Sequence, residues 1–261
     1  NLAAKVGVRA ENTSLLDEFT LSPRASISYK SGKNSQFSFA YGHFYQNPKS
    51  DYLKFNTDFK SENTSHLIAN YQTTKPGQIF RIEAYYKDYK DLVKFDDNLP
   101  TFNSTFNNNG SGYAKGVDVF WRQNGKIKNT DYWVSYSFLD TKRDYRNYTT
   151  SATPNFAAKH NISLVSKHWI EKWKSQVGFS YSFASGRNYT NPNEPGFLNN
   201  KTKNYNSVSL NWAYLIDQQK ILYFSVNNAL GTKNVFGYNS VRFLLISEIN
   251  IRYLNHQKQK L

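Results

Sequence analysis

Five histidines, His43, His66, His160, His168 and His256, are the side chains best suited to move a proton or hold a metal near neutral pH. His160 and His168 share the parity of one extended segment, but the eight residues between them span about 26 Å of strand, too far to ligate one ion. His160, Ser166 and Asn161 have the types of a base, a nucleophile and an orienting amide, the set used in acyl transfer. Alternation sends Asn161 to the face opposite the other two, so they do not converge. There is no glycine-rich phosphate loop, and the absence of Cys removes both thiolate metal sites and a disulfide scaffold. These residues point away from an enzyme and imply no cofactor and no metal.

The remaining polar groups are organised by parity. Arg9, Glu11, Arg24, Arg81, Glu83, Asp118, Arg122, Arg143, Asn211, Asn227, Arg242 and Glu248 fall on one face of extended segments. Val6, Val8, Phe37, Phe39, Tyr41, Ile82, Tyr86, Val177, Phe179, Tyr181, Phe183, Leu210, Trp212, Tyr214, Leu222, Phe224 and Val226 fall on the other. Side chains alternate faces along a strand, so this is the period of a two-faced sheet and not of a helix.

The pattern is plainest in residues 113–143, where YAKGVDVFWRQ and DYWVSYSFLDTKR flank a short polar link, NGKIKNT. It recurs over residues 2–11, 21–30, 36–46, 62–74, 79–90, 113–123, 131–143, 158–168, 173–186, 204–216, 221–229 and 241–253, about twelve strands in all. Short links at 31–35, 75–78, 124–130, 169–172 and 217–220 alternate with longer ones at 47–61, 91–112, 144–157, 187–203 and 230–240. Transmembrane barrels have this asymmetry, with short periplasmic turns and long extracellular loops, and a soluble sandwich has no reason to keep it. In that orientation the first strand runs outward and the last inward, leaving both ends on the periplasmic side.

Composition agrees. Apolar residues make up 39% of the 261 and aromatics 17%, with 20 Tyr and 19 Phe, a surplus suited to rings that straddle a membrane boundary. No run approaches the roughly 18 apolar residues of a spanning helix. A barrel turns only alternate residues to lipid, so a mean hydropathy of −0.70 is compatible with it. The net charge of +14 is spread over turns, loops and one strand face rather than gathered on one element. That distribution suits a solvated or lipopolysaccharide-facing surface better than nucleic-acid binding.

FRIEAYYKDYKDLVKF, NNNGSGYAKGVDVFWR, DYWVSYSFLDTKRDYRNY with TPNFAAKHNISL, QVGFSYSFASGRNYTNPN and LYFSVNNALGTKNVFGY, preceded by AYGHFYQNP, follow one another in this order. Together they resemble the C-terminal part of the barrel of TonB-dependent outer-membrane receptors, of the kind found in Bacteroidetes. The ending YLNHQKQKL departs from the family's usual terminal aromatic residue.

The resemblance implies that residues 1–261 are one barrel domain or barrel fragment, half of a 22-stranded barrel in the bacterial outer membrane whose plug lies outside this sequence. It implies active uptake of a scarce small-molecule, glycan or peptide ligand, with TonB acting through the plug. Arg9, Arg24, Arg81, Glu83, Asp118, Arg122 and Arg242 would then face the plug, while Gln46, Arg143, Tyr145, Arg187 and Tyr189, at outer strand ends and loops, would contact ligand. Outer-membrane lipid, lipopolysaccharide and the remaining barrel strands complete the expected partners. The alternative is a self-contained twelve-stranded channel or translocator.

Overall fold

The computed structural model describes residues 1–238. Eleven strands form one antiparallel sheet in which each strand pairs with its neighbours in sequence. They are β1 (Leu2–Thr13), β2 (Glu18–Lys30), β3 (Ser35–Gln46), β4 (Glu62–Lys75), β5 (Gln78–Phe95), β6 (Phe106–Asn124), β7 (Thr130–Asp144), β8 (His160–Ile170), β9 (Ser175–Ala184), β12 (Tyr205–Leu215) and β13 (Ile221–Val226). A separate two-stranded pair, β10 (Asn188–Tyr189) and β11 (Asn200–Lys201), stands in the connection between β9 and β12. The strand expected at 241–253 lies outside the described residues, as do Arg242 and Glu248. Among the described residues β1 pairs with β2 and β13 with β12, leaving the sheet open at both edges.

Register propagates the two faces from strand to strand. Gly7 opposes Arg24, Arg24 opposes Gly42, Gly42 opposes His66 and His66 opposes Lys87. Further along, Arg81 opposes Phe120, Phe120 opposes Ser135, Ser135 opposes Ser163, Ser163 opposes Ser182 and Ser182 opposes Ser207. The serine row gives the polar face little bulk. Each apolar residue assigned by parity lies on the opposite face, where Val6 is 86% exposed, Phe39 54% and Phe224 53%.

Such exposure would cost a soluble protein dearly. The buried hydrophobic residues are not in the middle of the sheet either: Tyr52, Phe59, Val93 and Phe95 pack together at one end, with Leu16, Leu53 and Phe106 against them. A sandwich places its core between two sheets. Here the broad apolar surface is turned outward along the strands, as lipid requires.

Aromatic rings line that outward face near the short turns. Tyr29, Phe37 and Tyr71 are cross-strand neighbours, with Phe37 and Tyr71 ring centroids 4.6 Å apart. Phe80 opposes Trp121, Trp121 meets Tyr132 edge-on at 5.5 Å, and Trp212 stacks with Phe224 at 5.6 Å. Rings at this height form the interfacial girdle of a membrane barrel.

The connections at the girdle end are short: 31–34, 76–77, 125–129, 171–174 and 216–220. At the other end 47–61, 96–105, 145–159 and 185–204 are long, while 14–17 is a tight exception. The long connection expected over 91–112 is mostly strand, because β5 and β6 run to 18 and 19 residues. A tilted membrane strand needs about 9–11 residues, so the excess stands in water, where apolar alternation is not required. Loop 47–61, including its one-turn helix α1 (Ser50–Leu53), packs against this extension and buries Tyr52 and Phe59.

Candidate functional site: the concave face and the outer rim

Side chains from β5 through β12 converge on a cleft of about 690 Å³ on the polar face, lined by Arg81, Asp118, Phe120, Asn161, Ser182, Arg187, Tyr205 and Phe236. In a barrel whose apolar face meets lipid, the polar face is the inner, concave one. β6 is cut to fit it: a Cβ on Gly116 would come within 2.5 Å of the Tyr85 hydroxyl, and one on Gly112 within 2.9 Å of the Arg143 side chain. Glycine at both places lets a tyrosine and an arginine lie flat across the strand.

The charges on this face differ in how they are satisfied. Arg122 donates from Nε and Nη2 to the Asp131 carboxylate at 3.0 and 2.7 Å, a fork-to-fork pair closed within the wall. Arg9 donates to Glu11 at 2.6 Å. The Arg24 guanidinium lies over the Phe44 ring, 4.8 Å from its centroid. Asp118 accepts from the Ser137 hydroxyl. Glu83 stands directly opposite Asp118 and accepts from Asn70 at 3.4 Å, so two carboxylates face each other without a cation between them among the described residues. Arg81 likewise has no ionic partner among the described residues. Of the residues expected to face the plug, Arg122 and Arg9 are thus occupied by the wall, while Arg81 and the Glu83–Asp118 pair keep charge to offer.

At the rim, the residues nominated for ligand contact separate into two groups. Arg143 sits among rings, with its guanidinium carbon 4.3 Å from the Tyr89 centroid and 5.6 Å from those of Tyr145 and Phe156. Tyr145 is buried and meets Tyr148 at 4.8 Å, which in turn meets Phe197 at 4.7 Å. Arg146 donates from Nε to the Tyr52 hydroxyl at 3.1 Å, tying loop 145–159 to loop 47–61. Burial pushes the Tyr52 and Tyr148 phenols up, so both are neutral hydrogen-bonding groups at physiological pH.

The second group is more open. Arg187 lies on the cleft wall, 5.3 Å from the Phe236 centroid, and Tyr189 packs on Tyr238 at 4.7 Å. Gln46 ends β3, exposed and opposite Glu62. Sequence reasoning did not single out Tyr52, Arg146, Phe156 or Phe236. They sit in the loops or, for Tyr52, in a single helical turn, where spacing carries no face information.

His160 and His168 make separate hydrogen bonds. His160 bonds through Nδ1 to the Tyr136 hydroxyl at 2.9 Å and His168 through Nδ1 to Thr130 Oγ1 at 2.8 Å. His160 and Ser166 face outward and Asn161 inward, as parity required. The arrangement supports recognition by charge, aromatic faces and hydrogen bonds.

A family model described as TonB-dependent receptor-like, β-barrel, matches residues 1–229. The chain belongs to this family. As a TonB-dependent receptor barrel it lies in the bacterial outer membrane, its concave face is the barrel lumen and its long loops are the extracellular ones. Among curated protein sequences, none matches.

Solved structures share the fold at low identity. The ferric-catecholate import receptor Fiu of Escherichia coli K12 aligns with a TM-score of 0.69 at 14% identity, over 85% of this chain and 32% of that one. The outer-membrane transporter YddB of Escherichia coli aligns at 0.72 and 12% identity, over 92% and 40%. The ferric enterobactin receptor PfeA of Pseudomonas aeruginosa aligns at 0.69 and 11% identity, over 88% and 37%. This TonB-dependent receptor barrel segment therefore spans 32–40% of the length of those chains.

Proposed function

We propose that these strands form the wall, outer rim and lumen of a receptor that captures a scarce nutrient outside the cell and imports it when TonB, acting through a plug domain, reopens the lumen. The carrying observation is the division of the concave face. Its charges keep unspent capacity at Arg81, Glu83, Asp118 and Arg187, while Arg122 is closed on Asp131 and Arg9 on Glu11. Uncommitted charge in a lumen suits a surface that holds a plug and passes a polar ligand.

Arg187, Tyr189 and Gln46 are the ligand-contact residues in this reading. Arg143 and Tyr145 act beside them by holding the aromatic rim in shape. A cation among rings suits an anionic, aromatic chelate, the class to which the catecholate and enterobactin ligands of Fiu and PfeA belong. The wall itself performs no covalent chemistry.

The test is uptake by cells carrying the complete receptor as their sole route for a ferric catecholate. R187A and Y189A each weaken binding by about 1–2 kcal/mol, a rise of roughly five- to thirtyfold in the half-saturating ligand concentration, with the amount of receptor in the outer membrane unchanged. Removing TonB abolishes uptake while leaving binding. Uptake that persists without TonB overturns the active-transport reading.

A further inference from the structure

The lipid-facing side carries a groove of about 410 Å³ lined by Phe80, Val119, Trp121, Val134 and Tyr136. Phe80 opposes Trp121 and Val119 opposes Tyr136, so the groove crosses β5, β6 and β7 just above the periplasmic turn 125–129. Trp121 is four residues from that turn, about 13 Å along the strand. This is the distance between a phospholipid headgroup and the upper part of its chains.

Two neighbouring turns repeat one pattern. Turn 125–129 holds Lys126-Ile127-Lys128 and turn 171–174 holds Lys172-Trp173-Lys174, with Ile127 56% and Trp173 61% exposed. The turns are tied together: Asn129 Nδ2 donates to Glu171 at 2.9 Å, and the Trp169 amide donates to the Asn129 carbonyl at 2.8 Å. Lys128 reaches Glu171 only at 3.9 Å, with both side chains well exposed, so its charge stays available. Lys33, Lys75 and Lys220 add to the same rim, against the acids Glu171 and Asp217. An exposed apolar side chain between two lysines is poorly placed in water and well placed at an interface, with the ring or alkyl group dipping into lipid and the ammonium groups at phosphate level.

We propose that turns 125–129 and 171–174, with the groove above them, form a binding site for an anionic phospholipid of the periplasmic leaflet. The lysines take the headgroup phosphate, Ile127 and Trp173 enter the glycerol region, and one acyl chain lies along Phe80, Trp121 and Tyr136. The occupant is argued from charge complementarity and from the height of the groove. Lipopolysaccharide occupies the opposite leaflet, at the end of the long loops.

The complete receptor, extracted from outer membranes and exchanged into nanodiscs of equimolar phosphatidylcholine and cardiolipin, provides the test by native mass spectrometry of retained lipid. Wild type retains cardiolipin over phosphatidylcholine. At roughly fivefold for each lysine at an anionic surface, K126Q with K128Q lowers that preference by more than tenfold, and K172Q with K174Q does so independently. Both variants keep the wild-type heat-modified gel shift, which reports an intact barrel. A cardiolipin with a photoactivatable acyl chain labels Trp121 or Tyr136. Equal retention of the two lipids, an unchanged preference in both lysine pairs, or labelling confined to the loop end overturns the site.

Discussion

At the scale of single residues, the lumen wall spends some of its charges on itself and keeps others. Arg122 with Asp131 is a closed bidentate pair, whereas Glu83 and Asp118 are like charges directly across a ladder. Opposed carboxylates destabilise a strand pair, and a cation from a plug removes that cost. Glu83→Gln is therefore expected to stabilise the wall without its plug by about 0.5 kcal/mol, and to loosen the plug in the complete receptor. Urea titration of both forms checks this, and a shift of the same sign in each would refute a role in holding the plug. Parity alone was enough to put Arg9, Arg24, Arg81, Glu83, Asp118 and Arg122 on one face, since register preserves it from strand to strand. It was blind to which of them already had partners, because Asp131 reaches Arg122 from the next strand through side-chain length and rotamer.

At the scale of elements, the extracellular extension of β5 and β6 is a mount for loops. Phe59 is buried beside Val93 and meets Phe106 edge-on at 5.6 Å, while Arg146 fastens the next loop through Tyr52. Replacing Phe59 with Ala removes a buried ring worth about 3 kcal/mol, so loop 47–61 should detach while the barrel stays folded. Protease cleavage confined to that loop, with a normal heat-modified gel shift, is the expected result; loss of the barrel itself would show that the rim core also supports the wall. The extension was hidden in NNNGSG, which reads as an irregular loop because asparagine and glycine are poor strand formers. Ladder pairing and the packed loop override that preference. The β10–β11 pair was hidden for a related reason, since two residues per strand show no period.

At the scale of the molecule, eleven strands carry one continuous apolar band and two open edges among the described residues. An unpaired edge is not tolerated in hydrocarbon, where each bare peptide group costs several kcal/mol. The twelve-strand channel would need its terminal strands to pair, and β1 meets β2 alone within the described residues. Residues 1–261 produced alone are expected to aggregate or stay soluble only in denaturant, and to give a heat-resistant barrel when the remaining strands are supplied. Detergent refolding followed by gel shift distinguishes the cases; a compact barrel from this segment alone would contradict the open sheet.

The uneven connections also bear on how such a wall is assembled. Chains reach the outer membrane from the periplasm, so the turns of two to five residues never leave the side on which they arrive. Loops 47–61, 96–105, 145–159 and 185–204, rich in amides and charges, have to be carried through the hydrocarbon before any hairpin can stand upright. The barrier to insertion thus belongs to the same segments that later meet the ligand. Diversity at the mouth is gained against a slower birth, and a catalyst that thins or opens the bilayer acts chiefly on their passage.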